Sequence, residues 1–246
     1  PGVTGVLPIA LEKATRITQV LLKAGKEYVG VMHIHKEIEQ DKILKTAQEF
    51  IGKIKQLPPI KSAVKRQLRE RNIYYFNILE INEKDVLFKV GCESGTYIRK
   101  LVHDFGLKLG TKAHMSQLIR TKAGPFTDKT WHTLHEVKDA YEFYKEGNEK
   151  ELRKIILPFE TAISHLPKIW VTDSTVNSLC NGADLAIPGI SKSESGINEN
   201  DLTAILTLKN ELICIGNAEI DSKTIMEKEK GIAVKTSKVF MPTNIY

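Results

Sequence analysis

The residues best placed to do chemistry stand in Cys92-Glu93-Ser94-Gly95-Thr96-Tyr97-Ile98-Arg99-Lys100-Leu101-Val102-His103-Asp104-Phe105-Gly106, where a phenol and a guanidinium flank one isoleucine. Two periodicities meet there. Val86, Phe88, Val90 and Cys92 alternate with Leu87, Lys89, Gly91 and Glu93, the pattern of a strand with one better-buried face. From Ile98 onward, Ile98, Leu101, Val102, Phe105 and Leu109 share one helix face, and Ser94, Gly95 and Thr96 supply a polar, flexible helix entry. Arg99 then falls in the first turn, against the positive end of the helix dipole, so its placement asks for a carboxylate partner. The same spacing also fits a solvated Arg99 and a half-buried core Tyr97.

Other chemistries are less well supplied. His33 and His35 lie two apart and His132 and His135 three apart, but neither pair has Cys or carboxylate partners at zinc spacing, so no metal is expected. No Gly-rich phosphate loop followed by Lys-Ser or Lys-Thr occurs, and no dinucleotide fingerprint, so no cofactor is expected. Lys61, Lys65, Arg66, Arg69 and Arg71, set against the single Glu70, form the densest basic patch. They follow Pro58-Pro59 and fit phosphate contact, with a solvated helix face as the plain alternative. Cys92, Cys180 and Cys214 are far apart, odd in number and set in apolar surroundings, which reads as reduced thiols of a cytoplasmic protein. No apolar run approaches membrane-spanning length, so no membrane partner is expected.

The elements that must position these groups come from an α+β chain of 246 residues, a length that suits two domains. Val6 to Leu11 reads as a strand or buried turn, about Ala14 to Leu22 as a helix, Glu27 to Ile34 as a strand, Lys42 to Phe50 as a helix and Tyr74 to Ile81 as a strand. These make a mixed sheet with helices. Short strands at Thr203 to Leu208, Glu211 to Ala218 and Ile232 to Phe240 suit a small β-barrel, with the polar stretch Ser191 to Asn200 as a mobile loop. The expected break is near Ser164, giving domains 1–164 and 165–246. Lys and Arg number 28 against 20 Asp and Glu in the first, and 8 against 10 in the second. A basic body favours a polyanion such as RNA, whereas the second half would have to bind RNA through specific hydrogen bonds more than bulk charge.

The Cys92–Gly106 stretch resembles a conserved motif of the TruB-type pseudouridine synthases, in the archaeal and eukaryotic branch that includes the dyskerin family. Four other segments agree in order: Val3-Thr4-Gly5-Val6-Leu7-Pro8 with Ala14-Thr15-Arg16; Lys26-Glu27-Tyr28; Pro58-Pro59-Ile60-Lys61-Ser62-Ala63-Val64-Lys65-Arg66 with Arg69, Arg71, Ile73 and Tyr74; and Ala113-His114-Met115-Ser116-Gln117-Leu118-Ile119-Arg120 with Gly124-Pro125-Phe126. Ile169 to Val239 is similar to a PUA domain, a small RNA-binding barrel.

The resemblance implies the reaction: the uracil ring moves from an N1 to a C5 bond on its ribose. It also implies roles. Arg99 would pair with the nucleophilic aspartate and keep it ionised, for attack at C1′ or proton abstraction at C2′. Tyr97 would reach toward C5, Tyr28 would pack on a flipped uracil, Leu118 would floor the pocket, and Lys26 would join the substrate-binding residues. The family's aspartate lies in a Gly-Thr-Leu-Asp-Pro loop, so the expected nucleophile precedes Pro1 and the chain is read as a fragment. Guide RNA would choose the uridine in rRNA within a box H/ACA particle, the PUA domain would hold the ACA end of the guide, and three small proteins, one zinc-ribbon-like, would complete it. Some members modify the TΨC-loop uridine of tRNA without a guide. Localisation would be cytoplasmic in an archaeal-type cell and nucleolar in a eukaryotic one. The rival reading is a noncatalytic RNA-binding scaffold with the same fold.

Overall fold

Alternation and helical spacing in the sequence become a sheet with helices on one face. The computed structural model describes residues 3–58 and 65–246, so Lys61 and the Ser62-Ala63-Val64 spacer lie outside the described residues. The chain divides into two compact units, Pro1–Ile156 and Leu157–Tyr246. The division falls ahead of the 164/165 break read from the sequence, because the 3₁₀ turn Phe159–Ile163 belongs to the second unit. Phe159 packs on Phe240 at 5.6 Å between ring centroids, and Glu160 accepts from the Leu212 N–H.

In the first unit the strands are β1 (Thr4–Gly5), β2 (Lys26–Ile34), β3 (Gly52–Gln56), β4 (Arg69–Asn82), β5 (Asp85–Cys92), β6 (Ala113–Ala123) and β7 (Phe126–Thr127). They lie in the order β1-β6-β2-β5-β4-β3, with β7 on β6, and every pairing is antiparallel except β1 with β6. The helices are α1 (Thr18–Lys23), α2 (Gln40–Glu49), α3 (Ile98–Lys108), α4 (Leu134–Lys145) and α5 (Lys150–Ile155). Neither the strand nor the buried turn expected over Val6 to Leu11 forms, and Leu7, Ile9 and Leu11 are exposed. The backbone leaves the sheet after Gly5, since β1 exists only through its partner β6.

The core lies between the sheet and helices α2 and α3. Val86, Phe88, Val90 and Cys92 of β5 point into it, as their period of two demands, and meet Ile98, Leu101, Val102 and Phe105 of α3. Phe76, Phe88 and Phe105 are fully buried, with Phe76 within 5.5 Å of both other rings. Truncating any one of them to Ala would cost about 3–5 kcal/mol.

The second unit has β8 (Lys168–Val171), α6 (Asp173–Cys180), β9 (Leu185–Ala186), β10 (Ile190–Ser193), β11 (Leu202–Leu206), β12 (Leu212–Ala218), α7 (Ser222–Glu227) and β13 (Ile232–Val239). Its sheet runs β10-β8-β11-β12-β13-β9. The two edge strands, β9 and β10, are consecutive in sequence and joined by one 3₁₀ turn, so the sheet curls into a nearly closed barrel around Ile169, Leu179, Ile205, Ile213 and Val234. Ser191 to Ser193 corrects the mobile-loop expectation: they belong to β10, whose backbone is satisfied by β8, and Ile197 in the loop beyond is buried.

Candidate active site

The Cys92–Gly106 motif becomes strand, loop and helix as its spacing requires, and the loop is fastened at several points. The Glu93 N–H donates to the Asn72 carbonyl at 2.8 Å, and the Asn72 N–H donates to Glu93 Oε2 at 3.1 Å. Thr96 Oγ1 donates to the Glu93 carbonyl at 2.7 Å. Gly95 has φ +79° and lies under the Arg71 guanidinium, where a Cβ would come within 3.1 Å of that group. Tyr97 is the residue that caps α3, with extended backbone and no side-chain cap of its own. Its backbone is gripped instead by Gln56, which accepts from the Tyr97 N–H at 3.0 Å and donates to the Tyr97 carbonyl at 3.3 Å.

Arg99 is exposed in the first turn of α3, which carries no acidic residue, and among the described residues no salt bridge involves it. Its guanidinium therefore meets the positive end of the helix dipole with no ion pair among the described residues to offset it.

Tyr28 and Leu118 come together from neighbouring strands. Tyr28 lies opposite Arg120, Gly30 opposite Leu118, and both Tyr28 and Leu118 pack on the core face that α3 covers. Gly30 is required there, because a Cβ would sit 2.8 Å from Leu118 Cδ1 and 2.9 Å from the Phe88 ring. Burial pushes the Tyr28 phenol above its ordinary pKa, while Arg120 opposes that with a hydrogen bond and its charge.

Arg120 also stitches the start of the chain to the sheet. Its Nε donates to the Val6 carbonyl at 2.7 Å, and its own carbonyl accepts from the Val6 N–H at 2.8 Å. Gly5, at φ +117°, lies so close to β6 that a Cβ would be 2.2 Å from the Arg120 carbonyl oxygen. Thr4 lies opposite Ile119, which brings Val3 beside Leu118 and onto the core cluster.

Two nominated groups serve the scaffold in this structure. Lys26 turns back to cap α1, its Nζ donating to the carbonyls of Leu21 at 2.9 Å, Leu22 at 2.9 Å and Ala24 at 2.6 Å. Burial and the nearby Arg120 lower its pKa. Arg71 is folded over the Tyr97 loop, with Nη1 donating to the Glu70 carbonyl at 2.7 Å and standing 3.7 Å from Glu93 Oε1. Lys65 and Arg66 are exposed, Arg69 is half-buried at the start of β4, and exposed Lys53 and Lys55 extend the basic surface along edge strand β3.

Several important residues had little or no signature in the sequence. Glu27 accepts from Tyr75, from Thr121 Oγ1 at 2.7 Å and from Lys89 Nζ at 3.0 Å. Tyr75 lies over Gly91, where a Cβ would be 2.3 Å from its ring. Gln56 did carry a signal: it shares the core-facing parity of Ile54 on β3, and a polar residue at a buried strand position needs partners. A cavity of about 290 Å³ lies elsewhere, lined by Glu49, Phe50, Ile54, Lys55, Asp104 and Lys108. The rings of His33, His35 and His114 gather with centroids 5.2–6.1 Å apart, yet among the described residues no group of three or more His, Cys, Asp or Glu could hold a metal ion. Nor is any described helix long and apolar enough to cross a membrane.

The profile of the TruB family pseudouridylate synthase N-terminal domain matches residues 1–42 and 32–98, that of the tRNA pseudouridylate synthase B C-terminal domain residues 99–164, and that of the PUA domain residues 167–240. The chain belongs to the TruB family of pseudouridine synthases. "Probable tRNA pseudouridine synthase B" of Pyrococcus furiosus is 56% identical over 248 residues, which cover 100% of this chain and 73% of that protein. The protein of the same name from Methanopyrus kandleri is 51% identical over 247 residues, again 100% of this chain and 73% of the relative. Among solved structures, the TruB-family chain is similar to one in a Cbf5-Nop10-Gar1 complex, with TM-score 0.92, 56% identity and coverage of 98% of this chain and 74% of that one. It is also similar to one in an H/ACA RNP bound to a substrate RNA containing 2′-deoxyuridine, with TM-score 0.90, 53% identity and coverage of 100% and 75%. Family membership makes the chain part of an RNA-modifying isomerase, with a catalytic domain followed by a PUA domain.

Proposed function

We propose that this enzyme converts uridine to pseudouridine in rRNA under a guide RNA within an H/ACA particle, and in the TΨC loop of tRNA without one. The observation that carries the reading is the junction at Tyr97 and Arg99: a phenol on a fastened loop and an exposed guanidinium in the first turn of α3. In the reaction the N1–C1′ bond breaks, the C5–C1′ bond forms, the C5 proton leaves and N1 gains one. A carboxylate serves as nucleophile or as base at C2′, Arg99 holds it ionised, and Tyr97 addresses C5. Entry of the chain along β6, with Val3 beside Leu118, supports this assignment. Tyr28 and Leu118 form the wall and floor for the uracil, and Lys65, Arg66 and Arg69 meet phosphates.

The relatives in H/ACA complexes support RNA and small protein partners; we further propose that one of those proteins is zinc-ribbon-like and that the PUA domain holds the ACA end of the guide. The test replaces Arg99 by Lys in the full-length protein and measures pseudouridine formed at saturating RNA. Lysine keeps the charge but not the planar fork that grips both carboxylate oxygens, so a large loss of rate is expected. Wild-type rates in Arg99→Lys would refute the pairing, and an inactive wild-type protein on both RNA classes would favour the noncatalytic scaffold.

A further inference from the structure

We infer that Gln56 is a positioning residue for the isomerisation, fixing the backbone of Tyr97 through both ends of its side-chain amide; the inference rests on the pseudouridine synthase reading above. Gln56 is 2% exposed and ends β3 on the face turned toward the core. Its Oε1 takes the Tyr97 N–H at 3.0 Å and its Nε2 donates to the Tyr97 carbonyl at 3.3 Å. That carbonyl also accepts from the Leu101 N–H at 2.9 Å, a bond of the first turn of α3. One side chain thus imitates a neighbouring strand for a single residue, and that residue is the one whose phenol the reaction uses. Fixing both the N–H and the carbonyl of Tyr97 fixes the direction in which its Cα–Cβ bond leaves the backbone. Arg99, two residues on in the same turn, inherits that orientation.

Packing alone does not explain a glutamine here. An apolar side chain of the same length would fill the space without the cost of burying an amide. Other attachments of the loop act upstream, on Glu93, Gly95 and Thr96, whereas the Gln56 amide grips the Tyr97 backbone itself.

Substitution by glutamate gives a test that a merely structural role would not pass. A carboxylate can accept from the Tyr97 N–H but repels the Tyr97 carbonyl, whereas a protonated carboxyl offers one donor and one acceptor, as the amide does. Burial beside a carbonyl raises the pKa of such a carboxyl. Single-turnover pseudouridine formation would be followed on a tRNA transcript with full-length wild type, Gln56→Glu and Gln56→Met across a pH series, with RNA affinity and thermal unfolding measured alongside. Wild type in parallel removes titration of the neighbouring Glu93 and of the RNA from the comparison.

At about pH 8, Gln56→Glu should react ~10–100-fold more slowly with RNA affinity within about twofold of wild type, the size expected for misplacing a reacting group. Its rate relative to wild type should recover as pH falls, while Gln56→Met stays slow throughout. Wild-type rates in Gln56→Glu at that pH, a deficit equal to that of Gln56→Met at every pH, or a loss that follows RNA affinity would each overturn the proposal. Failure of both variants to fold would also overturn it, making Gln56 a folding residue. If the wild-type protein forms no pseudouridine on tRNA or on guide-directed RNA, the parent reading fails instead.

Discussion

Replacing Glu27 by Gln is expected to destabilise the first unit by about 2–3 kcal/mol, even though the substitution changes one atom. The Glu27 side chain is 14% exposed and receives three donors, from Tyr75, Thr121 and Lys89. An amide can keep its oxygen toward Thr121, but its NH₂ group then faces the Tyr75 hydroxyl and the Lys89 ammonium. The phenol can turn and accept. The ammonium cannot, and being 38% exposed it swings into water, so its own loss is small. What remains is the loss of charge assistance to two part-buried hydrogen bonds, roughly 1–1.5 kcal/mol each. For a unit of this size that lowers Tm by ~4–12 °C.

The pH dependence fixes the mechanism. Burial pushes the Glu27 carboxyl up, but the hydrogen bonds from Tyr75, Thr121 and Lys89, with the charge of Lys89, outweigh it and hold the pKa below its ordinary value. A depressed folded-state pKa contributes stability that is full above the unfolded value, about 4.3, and is lost as pH falls through the folded one. The gap between wild type and Glu27→Gln should therefore be widest near neutrality and close in acid. Calorimetric melting of both proteins over that range is the assay. A Tm difference below ~1 °C near neutrality, or one that persists unchanged in acid, would refute the reasoning.

Three further outcomes are expected. Tyr97→Phe should abolish or severely slow turnover while leaving RNA affinity near normal, since only a hydroxyl is removed; equal losses in both would mark Tyr97 as a packing residue. Removing Lys65, Arg66 and Arg69 together should weaken all RNAs alike and flatten the logarithmic salt slope by up to ~0.9 for each phosphate no longer neutralised, measured by binding titrations over a salt series. Gly5→Ala forces a Cβ to within 2.2 Å of the Arg120 carbonyl and a side chain onto φ +117°, so β1 should peel from β6; faster amide hydrogen exchange at Val6 is the readout, and unchanged exchange would count against that anchoring.

The strand β5 and helix α3 were legible because Val86 to Cys92 and Ile98 to Leu109 each repeat a simple period over a buried face. The two-residue β1 was not, since nothing periodic marks a strand that is defined by its partner, and Ser191 to Ser193 looked like a loop because polar composition says little about which backbone groups a neighbour will satisfy. At the candidate site, three motifs nominated Tyr97 and Arg99, Tyr28, and Leu118, and the folded chain sets them on one junction and one pair of strands. Lys26 and Arg71 show the limit of such reading. Long basic side chains can reach outward to phosphate or inward to carbonyls, and only the fold shows that Lys26 caps α1 and that Arg71 covers Gly95. The Glu27 network was invisible because its members come from β2, β4, β5 and β6, joined only by register.

The parallel pairing of β1 with β6 has a consequence for the order in which the protein can be built. Arg120 and Val6, which clasp each other across that pair, are 114 positions apart. At ribosomal speeds of ~5–20 residues per second, the segment that leads into the site is made ~6–23 s before its partner has been synthesised. Parallel, non-local pairings also close slowly. The nascent chain must therefore carry this segment undocked through most of the synthesis of its first unit, and the residues around Leu118 and Arg120 receive it only after the antiparallel ladder has formed. The β1 side of the candidate site is therefore completed only after residue 120 has been made, although its own residues are among the first.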